Sequence, residues 1–366
     1  MNDVPELAHP LISIVTPFYN SVGKADRLLS TLATMSDPDV EVVWVDDGSA
    51  DETLSYLQKY KSKMRCRCVV VRQENKGPGG GRNYGLSLAS GRYIWFVDSD
   101  DDINPAAINT VRRLGTCDYD FIDFEVKHFS DDKGRIKPSA GLRAGALELP
   151  EGEYRAEEVT RYSLLLSVGW LWTKVFRREF LVSYGVCYPE YCVYEDTPLF
   201  FLLPLIVRQF YKSSDVAYFH HQEQESVTRS LGHKSSRFYD RMPTASYGLT
   251  LTDRFTCSRS ERLLIEEKFQ SIFLLLTVKI LYISGDWLMI PRVMRFYREE
   301  AQRLGISISP RRMISKSRLV LYIGPWLLSY LYPSQRNFFE KLHLHAWGAP
   351  IRYPASESVL INNCNE

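Results

Sequence analysis

The sequence predicts an α/β protein: a mostly parallel, Rossmann-like sheet with helices on both faces, followed by a mainly helical C-terminal region. Three observations carry this reading. Short apolar runs alternate with amphipathic helical patterns through the first hundred residues, which is the signature of a parallel sheet. Polar clusters close those runs at their C-terminal ends, where open α/β sheets bind ligands. Beyond about residue 235 the strand signals stop and helical spacing takes over. Residues 1–230 are therefore expected to form one domain and residues 231–366 a helical region.

The elements follow in order. Leu11 to Thr16 is an apolar, β-branched run that ends in Pro17 and a polar turn. Residues 23–35 place Leu28, Leu29, Leu32 and Met35 at helical spacing. Val40 to Val45 is a second strand and runs into Asp46-Asp47-Gly48-Ser49. Asp51 is a plausible N-cap for a helix carrying Leu54, Leu57 and Tyr60. Val69 to Val71 is a third strand, residues 81–90 read as helix after a flexible glycine turn, and Tyr93 to Val97 is a fourth strand entering Asp98. Residues 118–127 resume strand-like alternation, and 130–152 read as a long loop or hairpin. A helix is expected over 156–167, then a strand or turn and a short helix over 170–182. A further helix starts near Glu195, and Val216 to His220 forms a last strand. Leu263 to Ile283 is the strongest helical block.

Bulk properties exclude several classes. The chain has 366 residues and a formal net charge of +1, against the basic excess of a general nucleic-acid binder. The seven cysteines show no C-x-x-C pair, so reduced thiols of a cytoplasmic protein are expected. The N-terminus shows no secretory pattern, and no run of about 18 apolar residues occurs.

Four clusters could carry chemistry. In FVDSDD an apolar strand ends in Asp98-Ser99-Asp100-Asp101. Carboxylates this close repel one another unless a cation intervenes, and hard oxygen ligands suit Mg²⁺ or Mn²⁺ shared with substrate phosphates. The plain alternative is a solvated acidic turn. VDDGS offers Asp46 and Asp47 to a base or ribose, or else only a helix cap. NKGPGGGRNYG places glycines and Arg82 where a backbone and a guanidinium could meet phosphate, yet it fits neither G-x-G-x-x-G nor G-x-x-x-x-G-K-[ST]. YEDTPLFF sets Glu195 and Asp196 at a helix start, a place carboxylates favour for dipole reasons alone.

Their order says more than any one of them. A strand with PFYN, then VDDGS, then N-x-G with Arg-Asn, then FVDSDD, then Glu-Asp about a hundred residues later, resembles the family 2 glycosyltransferases of the GT-A fold. The similarity covers about residues 11–230 and is strongest to bacterial members that build capsule or lipopolysaccharide. WLWTKVFRREFL, YEDTPLF and HHQEQESVTRS look like the second-half signature of those enzymes.

The resemblance implies roles. Pro17 and Tyr19 would line the nucleotide pocket, and Asp46 or Asp47 would contact uracil or ribose. Arg82 would reach the base or diphosphate. Asp98, with Ser99, would bind ribose or donor sugar, and Asp100, assisted by Asp98, would hold Mn²⁺ or Mg²⁺. Asp196 would be the base of an inverting transfer from a UDP-linked sugar to a glycan or lipid-linked acceptor. Trp170, Trp172 and Glu195 would lie near the acceptor, and His220 and His221 near the donor phosphates. In relatives small or Ala residues commonly stand where this chain has Gly79-Gly80-Gly81. A non-catalytic sugar-binding module would be expected to have lost the D-x-D or Asp196. A nucleotidyltransferase would carry a Gly-rich loop where PFYN stands.

Between residues 291 and 345 ten Lys or Arg face three Glu, with Trp326, Tyr330, Tyr332, Phe338 and Phe339 interleaved. That pattern suits either an interfacial helix on an anionic membrane or a packing domain with a solvated face.

Overall fold

The computed structural model describes residues 9–130, 149–156, 171–222, 236–273, 277–306 and 329–354. The helix expected over 156–167, most of the 130–152 segment and Trp170 fall outside them. The strands are β1 (Ile12–Phe18), β2 (Val40–Asp46), β3 (Arg67–Arg72), β4 (Tyr93–Phe96), β5 (Asp102–Ile103), β6 (Phe121–Ser130), β7 (Gly152–Arg155), β8 (Lys174–Arg177) and β9 (Gln209–Gln222). They form one sheet in the order β3-β2-β1-β4-β8-β6-β9-β5, with β7 paired to β9. The first four strands are mutually parallel. Beyond β4 the sheet is mixed: β8 runs antiparallel to both β4 and β6, while β6 and β9 are parallel.

Every residue of β1 and β2 is buried. That is why these strands read as continuous apolar runs, as strands covered on both faces do. Register brings Phe18 level with Asp46, and Asp46 level with Arg72, so the strand tips end at one edge. Helices α1 (Asp26–Thr34), α2 (Thr53–Lys61), α3 (Gly77–Leu88), α4 (Ala107–Leu114) and α5 (Arg178–Ser183) accompany the strands. Leu28, Leu29 and Leu32 of α1 are buried as their spacing requires.

The glycine run is not a turn ahead of a helix. It is the first turn of α3, with Pro78 where a missing N–H does no harm. A Cβ on Gly81 would lie 2.7 Å from Pro17 Cβ, and one on Gly85 would lie 2.3 Å from Val15 Cγ1. The helix backbone thus rests directly on β1, and this contact outweighs the poor helix propensity of glycine.

The middle of the sheet buries charge. Lys174 Nζ, fully buried, lies 2.9 Å from Asp123 Oδ1, and Lys212 Nζ lies 3.4 Å from Asp123 Oδ2 and 2.5 Å from Glu125. Buried ions persist only when paired in this way, and the cluster ties β6, β8 and β9 together.

The chain divides into two compact units: Met1–Tyr191, Leu203–Ser226 and Arg352–Glu366 in the first, Cys192–Leu202 and Val227–Ile351 in the second. The first holds the sheet. The second holds the start of α6 (Thr197–Ile206), then α7 (Arg241–Thr252), α8 (Arg259–Phe273), α9 (Lys279–Ile283), α10 (Met289–Arg303) and α11 (Arg336–Trp347). Phe269, Phe273, Phe296, Tyr297 and Phe339 pack ring on ring in its core. Much of the described basic stretch is used internally. Arg303 and Arg336 converge on Glu300 at 2.6 and 2.5 Å, Arg292 lies over Phe338, and Arg298 lies over Tyr330. Among the described residues no helix is long and apolar enough to cross a membrane, and the six described cysteines are free thiols.

Candidate active site

The site of the first unit is built where β1, β2 and β4 end. After β1, Asn20 adopts a left-handed conformation, which asparagine tolerates better than most residues. Its N–H donates to Ser49 Oγ at 3.0 Å, and its side-chain oxygen accepts the Ala50 N–H at 2.9 Å. The β1 and β2 tips are thereby laced together. Pro17 packs under α3, while Tyr19 is 46% exposed and open to a ligand.

Asp46 and Asp47 are buried. Asp46 accepts the Ser49 N–H at 3.1 Å and faces Arg72 at 3.4 Å. One oxygen of Asp47 accepts both Gln73 Nε2 at 2.7 Å and the Lys76 N–H at 3.0 Å. Burial pushes the Asp47 carboxyl above its ordinary value against the pull of these hydrogen bonds. Gly48, which follows them, has φ +71°, and a Cβ there would meet Asn75 N at 2.6 Å, so only glycine fits this turn.

At the β4 tip, Arg82 of α3 donates to Asp98 at 2.6 Å, and its guanidinium lies over the Tyr188 ring. Asn83 and Tyr188 exchange two hydrogen bonds at 2.9 Å, fixing that ring. Ser99 Oγ meets Ser21 Oγ at 3.3 Å. Asp98 and Asp100 are half-buried, whereas Asp101 is only 2% exposed. Asp101 accepts the Tyr218 hydroxyl at 2.6 Å and the His221 N–H at 2.8 Å. Burial, then the charges of Asp100 and Asp98, push its carboxyl well above the usual range. Asp101 thus anchors the motif to β9.

Among the described residues no three His, Cys, Asp or Glu side chains are gathered as a metal cage. The donor set nonetheless fits Mg²⁺ or Mn²⁺, which typically take one or two carboxylates and complete their shell with phosphate and water.

Trp172 stacks on Tyr218 with ring centroids 4.2 Å apart and on His220 at 5.4 Å. His220 Nδ1 meets His128 Nδ1 at 2.9 Å, and His221 stacks on Phe129. Trp172 therefore packs against the same tyrosine that holds Asp101. Tyr218 and His128 escaped the sequence reading, because the strand pairing of β6 and β9 that presents them leaves no local motif.

Glu195 and Asp196 belong to the second unit, where they lead into α6. Glu195 is buried and Asp196 half-buried, so Asp196 is the more open of the two. Burial lowers the Lys268 ammonium to about 7, against the opposing pull of Asp196.

Residues 13–182 match the family described as Glycosyl transferase family 2. Over 234 residues the chain is 29% identical to the poly(ribitol-phosphate) β-N-acetylglucosaminyltransferase TarS of Staphylococcus aureus, a match spanning 63% of this chain and 39% of that protein. Over 100 residues it is 44% identical to a poly(ribitol-phosphate) β-glucosyltransferase of Bacillus spizizenii, covering 26% of this chain and 16% of the relative. The chain thus spans well under half the length of these two relatives. The crystal structure of S. aureus TarS 1–349 in complex with UDP-GlcNAc superposes with a TM-score of 0.62 at 22% identity, covering 88% of this chain and 91% of that one. That likeness establishes the fold.

Proposed function

We propose that this chain, whose residues 13–182 match the Glycosyl transferase family 2 model and whose fold is that of the GT-A enzymes, transfers a sugar from a UDP-linked donor to a hydroxyl of a cell-surface glycan. The observation that carries this reading is the β4 tip: Asp98 and Asp100 beside Arg82, at the carboxyl edge of the sheet. Tyr19, Pro17, Asp46 and Asp47 receive the base and ribose. Arg82, Asp98 and Ser99 hold the donor's ribose, sugar and phosphates. A Mg²⁺ or Mn²⁺ held by Asp100 and Asp98 would neutralise the charge of the departing diphosphate.

Asp196 acts as the base, and Glu195 and Trp172 lie toward the acceptor. The acceptor oxygen attacks C1 as its proton passes to Asp196. The bond from C1 to the diphosphate oxygen breaks, and the anomeric centre inverts. The named TarS activity and its UDP-GlcNAc complex favour an N-acetylhexosamine or hexose donor. Its poly(ribitol-phosphate) acceptor makes a surface polymer of that kind, or a capsular or lipopolysaccharide glycan, the substrate class. A cytoplasmic enzyme peripheral to the membrane suits a lipid-carried acceptor. Trp287 and Leu288, 63% and 80% exposed, offer an apolar contact, and failure to co-sediment with anionic liposomes removes that part.

The test is release of UDP from UDP-N-acetylglucosamine and UDP-glucose, with poly(ribitol phosphate) as acceptor, with and without Mn²⁺. General-base assistance is worth ~10²–10⁴ in rate. Asp196→Asn should lower turnover by about that range with donor binding intact. Near-normal turnover in the variant removes Asp196 from the role.

A further inference from the structure

The second unit contains a buried carboxylate that the mechanism does not use. Asp240 stands one residue before α7 and is 1% exposed. It accepts three hydrogen bonds. Oδ2 takes the Val193 backbone N–H at 3.2 Å and the Trp347 indole N–H at 3.0 Å. Oδ1 takes His343 Nδ1 at 2.8 Å. His343 and Trp347 lie four apart on α11, so one helix face presents both donors.

The segment it grips is strained. Tyr191 and Tyr194 adopt φ of 59° and 62°, a left-handed conformation that bulky residues hold only when their surroundings compel it. Arg241, the next residue after Asp240, donates to the Tyr194 hydroxyl at 2.5 Å and lies over its ring at 4.3 Å. Asp240 and Arg241 thus hold positions 193 and 194, directly ahead of Glu195 and Asp196. A carboxylate buried this deeply would be costly without its donors. With all three it is a rigid joint between α11 and the loop.

We propose that Asp240 is a positioning residue for the transfer, holding the strained 193–196 loop, and with it Asp196, in register against the C-terminal helix α11. This rests on Asp196 being the base. The prediction is a turnover effect, because a base displaced by about an ångström can lose on the order of 10²-fold in rate while donor binding, assigned to the other unit, stays as it was.

The experiment measures kcat and donor KM by UDP release from UDP-N-acetylglucosamine for Asp240→Ala, Asp240→Asn, Trp347→Phe and Asp196→Asn, with thermal unfolding of each. Asp240→Ala should lower kcat by about 10- to 100-fold and leave donor KM within roughly twofold. Asp240→Asn keeps an acceptor for the Val193 N–H and should recover most of the loss. A residue of merely structural importance would lower the folded fraction seen in thermal unfolding and leave kcat per folded enzyme unchanged, whereas the positioning role lowers kcat per folded enzyme. If Asp240→Ala does not fold, Trp347→Phe decides, since it removes one donor and keeps an aromatic ring: kcat must fall severalfold at unchanged KM, and an unchanged kcat overturns the proposal. Slow Asp196→Asn with normal, folded Asp240→Ala removes the positioning role alone. Near-normal Asp196→Asn removes the base assignment and the proposal with it.

Discussion

Two strand tips of the same sheet carry adjacent acidic residues, and they use them differently. At the β2 tip, Asp46 and Asp47 are buried and wrapped by donors from their own loops: Ser49, Arg72, Gln73 and the Lys76 N–H. Their carboxylates shape the turn that, in the proposed reaction, faces the base and ribose. At the β4 tip only Asp101 is absorbed in this way, by Tyr218 and the His221 N–H. Asp98 and Asp100 stay half-buried, and their charges disturb Asp101. A carboxylate surrounded by fixed N–H groups orients a binding surface. A cluster whose charges are only partly met, by Arg82 at Asp98, suits the cation and phosphate of the proposed reaction. The contrast predicts that substitutions at β4 will fail in activity and those at β2 in stability.

The largest effect should come from Asp100→Ala. If Asp100 holds the proposed metal, its loss removes several kcal/mol of charge stabilisation on the leaving group, so UDP-sugar turnover should fall by ~10²-fold or more and cease to respond to Mn²⁺. The unfolding temperature should barely move. A variant that still shows Mn²⁺-stimulated turnover breaks the comparison on the β4 side. Next is Asp47→Ala, which strands the donors of Gln73 and Lys76. The two donors are part-buried, so each costs toward the lower part of the about 1–3 kcal/mol of a stranded buried donor, and unfolding in urea should show a loss of roughly 2–4 kcal/mol. An unchanged midpoint would break it on the β2 side.

The tips themselves were legible in the sequence. An apolar run ending abruptly in Asp-Asp or Asp-Ser-Asp is a local pattern, and local patterns survive folding. What decides the fate of each carboxylate is not local. Tyr218 reaches Asp101 from a strand more than a hundred residues on, and Gln73 reaches Asp47 from the next strand's loop. The glycines of α3 misled because propensity argues against a helix, while the close approach to Val15 and Pro17 demands one. Strand β9 was seen only as Val216 to His220, although it begins at Gln209. Lys212 and Ser213 look like loop until Asp123 and Glu125 supply partners that let Lys212 enter the core. The order of motifs likewise located Glu195 and Asp196 but carried no sign of Asp240, whose partners come from both sides of it in the chain.

Asp196 sharpens the contrast, because a cation of the protein itself, Lys268, acts on it. If Asp196 is the base, Lys268→Met removes the positive charge that acts on it and should move the acidic limb of the kcat/KM profile to higher pH. Burial lowers Lys268 to about 7, so in the wild type this help fades as pH rises through that value. A profile with its acidic limb unmoved in the variant would show that the two groups do not act on each other.

The smallest effect isolates the burial of Asp47 from its hydrogen bonding. Its carboxyl binds a proton more tightly in the folded chain than in the unfolded one, because burial disfavours the charged form. By linkage, the stability contributed by that proton is fully present below the unfolded value near 3.8 and is lost as pH rises through the folded value. Asp47→Asn has no such proton to lose. Its side chain keeps one carbonyl oxygen for the Lys76 N–H. The difference in unfolding temperature, variant minus wild type, should therefore shift in the variant's favour between pH 4 and pH 7. All other titrating groups cancel in that difference. A shift of opposite sign would mean that the donors of Gln73 and Lys76 stabilise the charged carboxylate by more than burial penalises it.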